Sequence, residues 1–339
     1  MNYSLIIPVY NRPNELNELL SSVAKQTYQD FEVIVVEDGS AISSQEVVKK
    51  FDQLFSLQYH YKPNSGPGDS RNVGATLAHG EYLIILDSDI ILPVNYLQTI
   101  HNFLIQTPVD AFGGPDVSHQ DFTPIQRAIS YAMTSFFTTG GIRGGRKKSM
   151  DKFYPRSFNM GIRKKVYDTL GGFAKMRFGE DVDFSLRILE TGYTTSLISD
   201  AWVYHKRRST FKQFFKQVHN SGIARINLMK RHPKSLKLVH TLPACFTLGI
   251  FFLMILAILV ATLYTIRTAL IILSPMAFYS LILWIDATLK EKSIYIGFLS
   301  IIASFIQLIG YGSGFIHSWY KRILLGQDEF QAFEKNFYK

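Results

Sequence analysis

Short apolar runs alternate with helix-like stretches through the first hundred residues. That alternation is the signature of an α/β domain built on a mainly parallel sheet. Residues 4–9 read as the first strand, closed by the turn Asn11-Arg12-Pro13. A helix is predicted over about 14–26, where Leu16, Leu19, Leu20 and Val23 share one face. Residues 31–36 read as a second buried strand, ended by Glu37-Asp38-Gly39-Ser40, and 57–61 as a third. After the turn-rich stretch 63–68 comes a helix over 70–78 and then the most hydrophobic strand, 82–86, which runs directly into Asp87-Ser88-Asp89. Polar residues thus collect at the carboxyl ends of the strands, where open α/β sheets bind ligands.

Past residue 111 the pattern is less regular: 158–162 and 201–204 read as strands, 181–191 as a short helix stopped at Gly192, and 140–148 is glycine-rich and basic. Beyond residue 237 the pattern changes again. The stretches 238–266, 268–285 and 293–320 contain no Lys, Arg, Asp or Glu. Each is near or above the roughly 20 apolar residues a helix needs to cross a bilayer. Apolar character on every face suits lipid better than a soluble core, which leaves a polar stripe. The expected organisation is a globular domain over 1–237 with a basic juxtamembrane segment at 206–237, a membrane domain over 238–320, and a polar tail over 321–339. The membrane domain holds two or three helices, at about 242–264, 268–289 and 293–317. Met1 leads straight into a strand-like run, so no signal peptide is expected.

Charge sharpens this picture. The chain has 36 basic and 27 acidic residues, a net charge of +9. Between Lys206 and Lys237 lie ten basic residues and no acidic one, so this segment alone outweighs the whole excess. A basic band directly before an apolar span is what the positive-inside bias and anionic headgroups both favour. It reads as a cytoplasmic membrane collar, and nucleic acid is not an expected partner. The single cysteine, Cys245, excludes an intramolecular disulfide and a cysteine-based zinc site.

The candidate chemistry sits on acidic residues at strand and helix ends. Asp87 and Asp89, at i and i+2 after an aliphatic strand, can aim at one hard cation such as Mg²⁺ or Mn²⁺. An Asp-rich turn with capping side chains is the structural alternative. Asp38 could accept a hydrogen bond from a base N–H, and Arg71 and Asn72 could meet phosphates at a helix N-terminus. A second acidic pair, Glu180-Asp181, opens a helix after Gly179. Acids are favoured there by the helix dipole alone, yet one of them could serve as the general base for an acceptor hydroxyl. His205 closes the run 201–204 and is followed by three cations.

Five motifs stand in order: Ser-Leu-Ile-Ile-Pro-Val-Tyr-Asn at 4–11, Val-Glu-Asp-Gly-Ser at 36–40, Gly-Pro-Gly-Asp-Ser-Arg-Asn-Val-Gly at 66–74, Asp-Ser-Asp at 87–89 and Gly-Glu-Asp at 179–181. Together they resemble family 2 of the inverting glycosyltransferases, over roughly residues 3–225. The resemblance implies a GT-A fold, a mainly parallel, Rossmann-like nucleotide-binding sheet, here followed by C-terminal transmembrane helices. It implies that Pro8, Tyr10, Asn11, Asp38, Arg71, Asn72, Asp87 and Ser88 bind the nucleotide sugar, with Asp38 on the base. It makes Asp89 the direct ligand of Mg²⁺ or Mn²⁺, joined by His205, and Asp181, ahead of Glu180, the catalytic base. Gly171-Gly172-Phe173 would border the acceptor pocket.

Two departures stand out. Position 69 is Asp where the family usually has a small residue, and no Gln-x-x-Arg-Trp follows the acidic pair, which speaks against processive polymer synthesis. The expected activity is transfer of a sugar from a nucleotide diphosphate donor to a lipid-linked glycan or other membrane-bound acceptor. A polyprenyl-phosphate sugar synthase is the alternative, with Arg143, Arg146, Lys147 or Lys148 holding the acceptor phosphate. A catalytically dead sugar-nucleotide sensor is the non-enzymatic reading. The expected location is a bacterial inner membrane, multi-pass, with the catalytic domain in the cytoplasm. No Gly-x-Gly-x-x-Gly follows the first strand, which argues against a nicotinamide oxidoreductase.

Overall fold

The computed structural model describes residues 2–117, 122–140, 153–206 and 208–329. They form two compact units, one of residues 2–117 and 153–206 and the other of 122–140 and 208–329.

The first unit is the α/β domain. In chain order it runs β1 (Tyr3–Val9), α1 (Pro13–Val23), β2 (Phe31–Asp38), α2 (Gln45–Val48), β3 (Ser56–Lys62), α3 (Pro67–Leu77), β4 (Tyr82–Leu86), β5 (Ile90–Ile91), α4 (Tyr96–Gln106), β6 (Ala111–Gly113) and β7 (Asp116–Val117). Two helices of the other unit, α5 (Pro124–Thr134) and α6 (Phe136–Thr139), intervene. The α/β domain resumes with β8 (Asn159–Arg163), α7 (Lys164–Leu170), α8 (Glu180–Glu190), β9 (Thr195–Leu197) and β10 (Val203–His205).

Seven strands form one sheet in the order β3-β2-β1-β4-β8-β6-β9. Strands β3, β2, β1 and β4 are parallel, and β8 runs antiparallel between β4 and β6. Every residue of β1 is buried because both sheet faces are covered. Leu5, Ile7 and Val9 pack with Leu16, Leu19 and Leu20 of α1, while Ile6 packs on the opposite face with Ala75, Phe184 and Ile188. Helix α3 lies close on the sheet because Gly74 has no side chain. A Cβ there would sit 2.5 Å from Ile6 Cγ2. The parallel register sets Val9 beside Glu37 and Asp38 beside Lys62, so the ends of β1, β2 and β3 share one edge. A second small sheet, β5-β10-β7, pairs His205 with Ile90, the residue after Asp89.

The second unit contains α5, α6, α9 (Phe211–Arg231), α10 (Leu242–Leu263), α11 (Ile266–Glu291) and α12 (Ile294–Trp319). The last three coincide closely with the predicted apolar helices and are long and apolar enough to cross a membrane. The compact units are not separated by a single cut at 237: α5, α6 and the basic α9 group with the apolar helices instead of the sheet. The physical reason is a shared apolar cluster of Ala128, Ile129, Ala132 and Met133 with Phe214, Val218, Ile296 and Ala303. Within α11, Pro275 cannot donate to the carbonyl of Ile271, and the Ser274 hydroxyl donates to it at 2.7 Å.

Candidate donor and metal site

The carboxyl edge of β1, β2 and β4 brings the first four motifs together. After β1 the chain turns at Asn11, which holds φ +52°. Asn tolerates this left-handed region better than most side chains. Its amide oxygen accepts from the backbone N–H of Ala41 and Ile42, at 2.7 and 3.1 Å, and Asn11 N–H donates to Ser40 Oγ at 2.8 Å. Asn11 therefore ties the loop after β2 to the end of β1.

Asp38 is only 2% exposed. Its carboxylate accepts from Lys62 Nζ at 2.6 Å, Ser65 N–H at 2.9 Å, Gly66 N–H at 2.9 Å and Asn64 Nδ2 at 3.0 Å. A carboxylate offers about four lone-pair sites, so an incoming base N–H must displace one of these donors. The Asp at position 69 has a role here. It lies 3.1 Å from Lys62 Nζ, and so shares the compensation of a buried ammonium with Asp38. Lys62 escaped the sequence reading, although its pairing with Asp38 across β2 and β3 is the signal that could have found it.

Asp87, Asp89 and His205 form the candidate metal site. One ligand atom from each lies within 4.8 Å of the others. An ion bound at about 2.1 Å to each ligand requires ligand atoms about 3 to 4.2 Å apart, so modest adjustment brings all three onto one cation. Two carboxylates and one imidazole suit Mn²⁺ and, less selectively, Mg²⁺. His205 Nε2 lies 3.2 Å from Asp89 Oδ1, and the His205 ring stacks on Phe158. The other Asp89 oxygen is ion-paired with Arg12, whose guanidinium stands beside the carboxylate as a divalent cation would. Arg12 was not singled out from the sequence. Its place in the turn directly after β1 is the only local signal.

Arg71 connects this site to the second acidic pair. It is 4% exposed, and its two terminal nitrogens reach Asp87 Oδ1 at 2.9 Å and Glu180 Oε1 at 3.0 Å. Burial opposes its charge, but Asp87 and Glu180 hold it firmly protonated. Its Nε is buried with no hydrogen-bond partner among the described residues. Arg71 thus meets carboxylates here and no open phosphate-binding surface. Asn72 departs further from its expected phosphate role. Its amide donates to Phe173 O at 3.0 Å and accepts from Phe173 N–H at 2.8 Å and Tyr167 Oη at 2.6 Å. That side chain is spent holding the Gly-Gly-Phe turn, because α3 and the turn after α7 pack together in one apolar cluster.

The acidic pair opens α8 directly after Gly179, whose φ of +84° favours glycine. Asp181 Oδ2 accepts from Arg156 Nε at 2.6 Å, and its other oxygen accepts from Val182 N–H at 2.9 Å. Burial alone would raise the Asp181 carboxyl, but Arg156 and Arg71 outweigh it and hold it below the usual range. Glu180 goes the other way: burial, reinforced by the Asp181 charge, raises it despite Arg71. Arg156 is a third group missed by the sequence reading, and no local pattern marks it. Pro8 and Ser88 are buried and Tyr10 half-buried along the same edge. Arg143, Arg146, Lys147 and Lys148 lie outside the described residues.

A mainly parallel sheet with the Asp87, Asp89 and His205 cluster at its edge and a half-buried acidic pair beyond it is the layout of a GT-A-type fold. The profile of "Glycosyl transferase family 2" matches residues 4–171, and the chain belongs to that family. Among relatives, the glycosyltransferase GlyA of Streptococcus pneumoniae is 27% identical over 218 residues, 59% of this chain. That stretch is 29% of GlyA, so the chain spans well under two thirds of this curated relative. Two solved structures share the fold. Residues 1–349 of S. aureus TarS, in complex with UDP-GlcNAc, are 23% identical with a TM-score of 0.50, covering 67% of each chain. The mannosyltransferase PcManGT of Pyrobaculum calidifontis, in complex with GDP-Man and Mn²⁺, is 16% identical with a TM-score of 0.58, covering 95% of this chain and 88% of that one.

Proposed function

We propose that this protein transfers a single sugar from a nucleotide diphosphate donor, with inversion, onto a lipid-linked or otherwise membrane-bound acceptor. The observation that carries the reading is the Arg71 bridge, which wires Asp87 of the metal cluster to Glu180 of the acidic pair. Asp87, Asp89 and His205 would hold Mg²⁺ or Mn²⁺, which when bound would supply Lewis-acid neutralisation of charge on a leaving diphosphate. Arg12, released from Asp89, is placed to pair with a diphosphate oxygen. Tyr10 and the loop held by Asp38 would receive the nucleoside. Asp181 is the proton acceptor: Arg156 keeps it ionised at rest, and its basicity rises when Arg156 turns away toward an incoming acceptor.

The apolar helices in the same chain support an acceptor at the membrane, and the catalytic unit is assigned to the cytoplasmic face, where nucleotide sugars are made. The GDP-Man and UDP-GlcNAc complexes of the two structural neighbours support a nucleoside diphosphate donor without naming its base. Incubating membranes that contain the protein with a panel of nucleotide sugars, each with a polyprenyl phosphate or a lipid-diphosphate glycan, tests the reading. Release of nucleoside diphosphate only with the glycan supports it. Release only with the plain phosphate favours the polyprenyl-phosphate sugar synthase. Absence of turnover with every donor and acceptor would leave the sensor.

A further inference from the structure

Three helices of the second unit meet the length and composition of a span, but they are packed in two different ways. Helices α10 and α11 bury little of their apolar windows inside the unit, 17% and 11%, whereas the third helix buries 39%. Phe252 and Ile258 on α10 and Ile271 and Phe278 on α11 are all more than 60% exposed, the pattern of side chains meant for lipid. The charges of α11 come late, at Asp286, Lys290 and Glu291, apart from Arg267 at its start.

Helix α12 also meets α10 and α11, Gly312 at Pro243 and Gly297 at Trp284, but its other faces are covered by two helices that carry charge. Toward its start, α5 packs on Ile296 and Ala303, and α5 is pinned to the end of α11 by Arg127–Glu291 at 2.7 Å and Tyr131 Oη–Asp286 at 2.7 Å. Along its second half lies α9, which carries Lys212, Lys216, Arg225, Lys230 and Arg231 and no acid. The two run in the same direction, from Val218 beside Gly310 to Asn227 beside Arg322. Contact is backbone-close: a Cβ on Gly314 would sit 2.0 Å from His219 O, and one on Gly222 would sit 2.1 Å from Tyr311 O. Gly310 and Gly314, the G-x-x-x-G pair, therefore serve packing within this chain.

We infer that α12 does not cross the bilayer and that, among the described residues, α10 and α11 alone form a transmembrane hairpin. Carrying α12 through hydrocarbon would drag the cations of α9 with it or strip α9 from its glycine seam, and both are costly in lipid. Two crossings also leave the 206–237 collar, Lys290, Lys292, Lys321 and Arg322 on one side, whereas three would split them. Helix α12 then serves as a platform at the membrane surface, with Trp319 and Tyr320 exposed at its end in the manner of interfacial aromatics. The inference concerns topology alone and stands whichever acceptor the enzyme uses.

The test is cysteine mapping of the full-length protein in intact cells, with Cys245→Ser as background. Tyr264→Cys, between α10 and α11, is expected to react with a membrane-impermeant maleimide added outside. Gln327→Cys, beyond α12, is expected to react only after the membrane is opened. Outside labelling of Gln327→Cys, or none at Tyr264→Cys, overturns the inference. A fluorescent protein fused after residue 339, of a kind that matures only in the cytoplasm, checks the parent sequence independently: bright cells support the hairpin, and dark cells with full-length protein in the membrane refute it.

Discussion

The two units treat burial in opposite ways. In the α/β unit buried and half-buried carboxylates at the functional edge are matched with cations: Asp38 meets Lys62, Asp87 and Glu180 meet Arg71, Asp89 meets Arg12, and Asp181 meets Arg156. On α10 and α11 of the helical unit the exposed side chains are mostly apolar, Phe252 at 64% and Ile258 at 61% among them, and the buried Trp284 Nε1 and Thr288 Oγ1 find no hydrogen-bond partner among the described residues. The difference follows from the intended surroundings. A site that takes up a cation and a diphosphate benefits from charges that are already desolvated, oriented and balanced, so that binding exchanges partners without creating bare charge. A helix in lipid has no such need, and it is held by contacts with its neighbouring helices.

The comparison breaks most visibly at Asp89. If the paired charges exist to be exchanged for a cation, Asp89→Asn should lose Mn²⁺ binding and cut transfer by roughly 10³-fold or more, from the several kcal/mol that metal assistance supplies. Chelation with EDTA should do the same to the parent, with rescue by Mn²⁺ or Mg²⁺. Calorimetric titration with Mn²⁺ beside a transfer assay decides. Full activity in chelator, with Asp89→Asn tolerated, would leave the cluster a structural turn.

Next in size is Asp181→Asn, expected to lower transfer by about 10²–10⁴-fold while donor affinity changes little. Loss in Glu180→Gln with Asp181→Asn near parental would move the base by one residue. Arg156→Gln separates the role of the counter-charge. Arg156 holds the Asp181 carboxyl down, so removing it raises that carboxyl, and a base that must be ionised then fails at a higher pH. The acid limb of the kcat/KM profile should therefore move upward. An unmoved limb would mean that Asp181 is not the titrating base.

In the helical unit the matching disturbance is steric. Gly314→Leu places a side chain against His219 O, 2.0 Å from the first added carbon, and a backbone atom cannot step aside as a flexible side chain can. Overpacking should cost about 1–3 kcal/mol, read as a lower unfolding temperature in detergent. An unchanged temperature would mean that α9 does not rest on this seam.

How far the sequence reading reached follows the same divide. The parallel strands and the three apolar helices were legible because each is a long run with one period, and the acidic motifs because they end those runs. Sequence-local reasoning failed where the partner lies far along the chain. Arg71 meets Glu180 across 109 positions and Asn72 meets Phe173 across 101, so neither side chain could be seen as spent from its own neighbourhood. The membership of α9 in the helical unit was hidden likewise. Its basic face suggested a collar, while the glycines that seat it, Gly310 and Gly314, lie some ninety residues on.

The smallest expected effect belongs to Asp69, and it asks how much of the charge balancing is needed for folding. Lys62 sits between Asp38 at 2.6 Å and Asp69 at 3.1 Å, with the side chain of Asp69 25% exposed and that of Asp38 only 3%. Asp69→Ala leaves Lys62 its shorter, better-buried pair, and also removes the Asp69 partner of Ser65 Oγ. Ser65 N–H still anchors to Asp38 at 2.9 Å, so the loop keeps its backbone tether. A loss of about 1 kcal/mol is expected, the usual net value of one hydrogen-bonded contact, together with a change in donor affinity of less than about tenfold. Chemical denaturation and nucleotide binding on the same preparation measure both. A loss near that of a broken buried pair, about 3–5 kcal/mol, would show that Lys62 needs both carboxylates. A weakened donor at unchanged stability would instead place Asp69 among the residues that read the nucleotide.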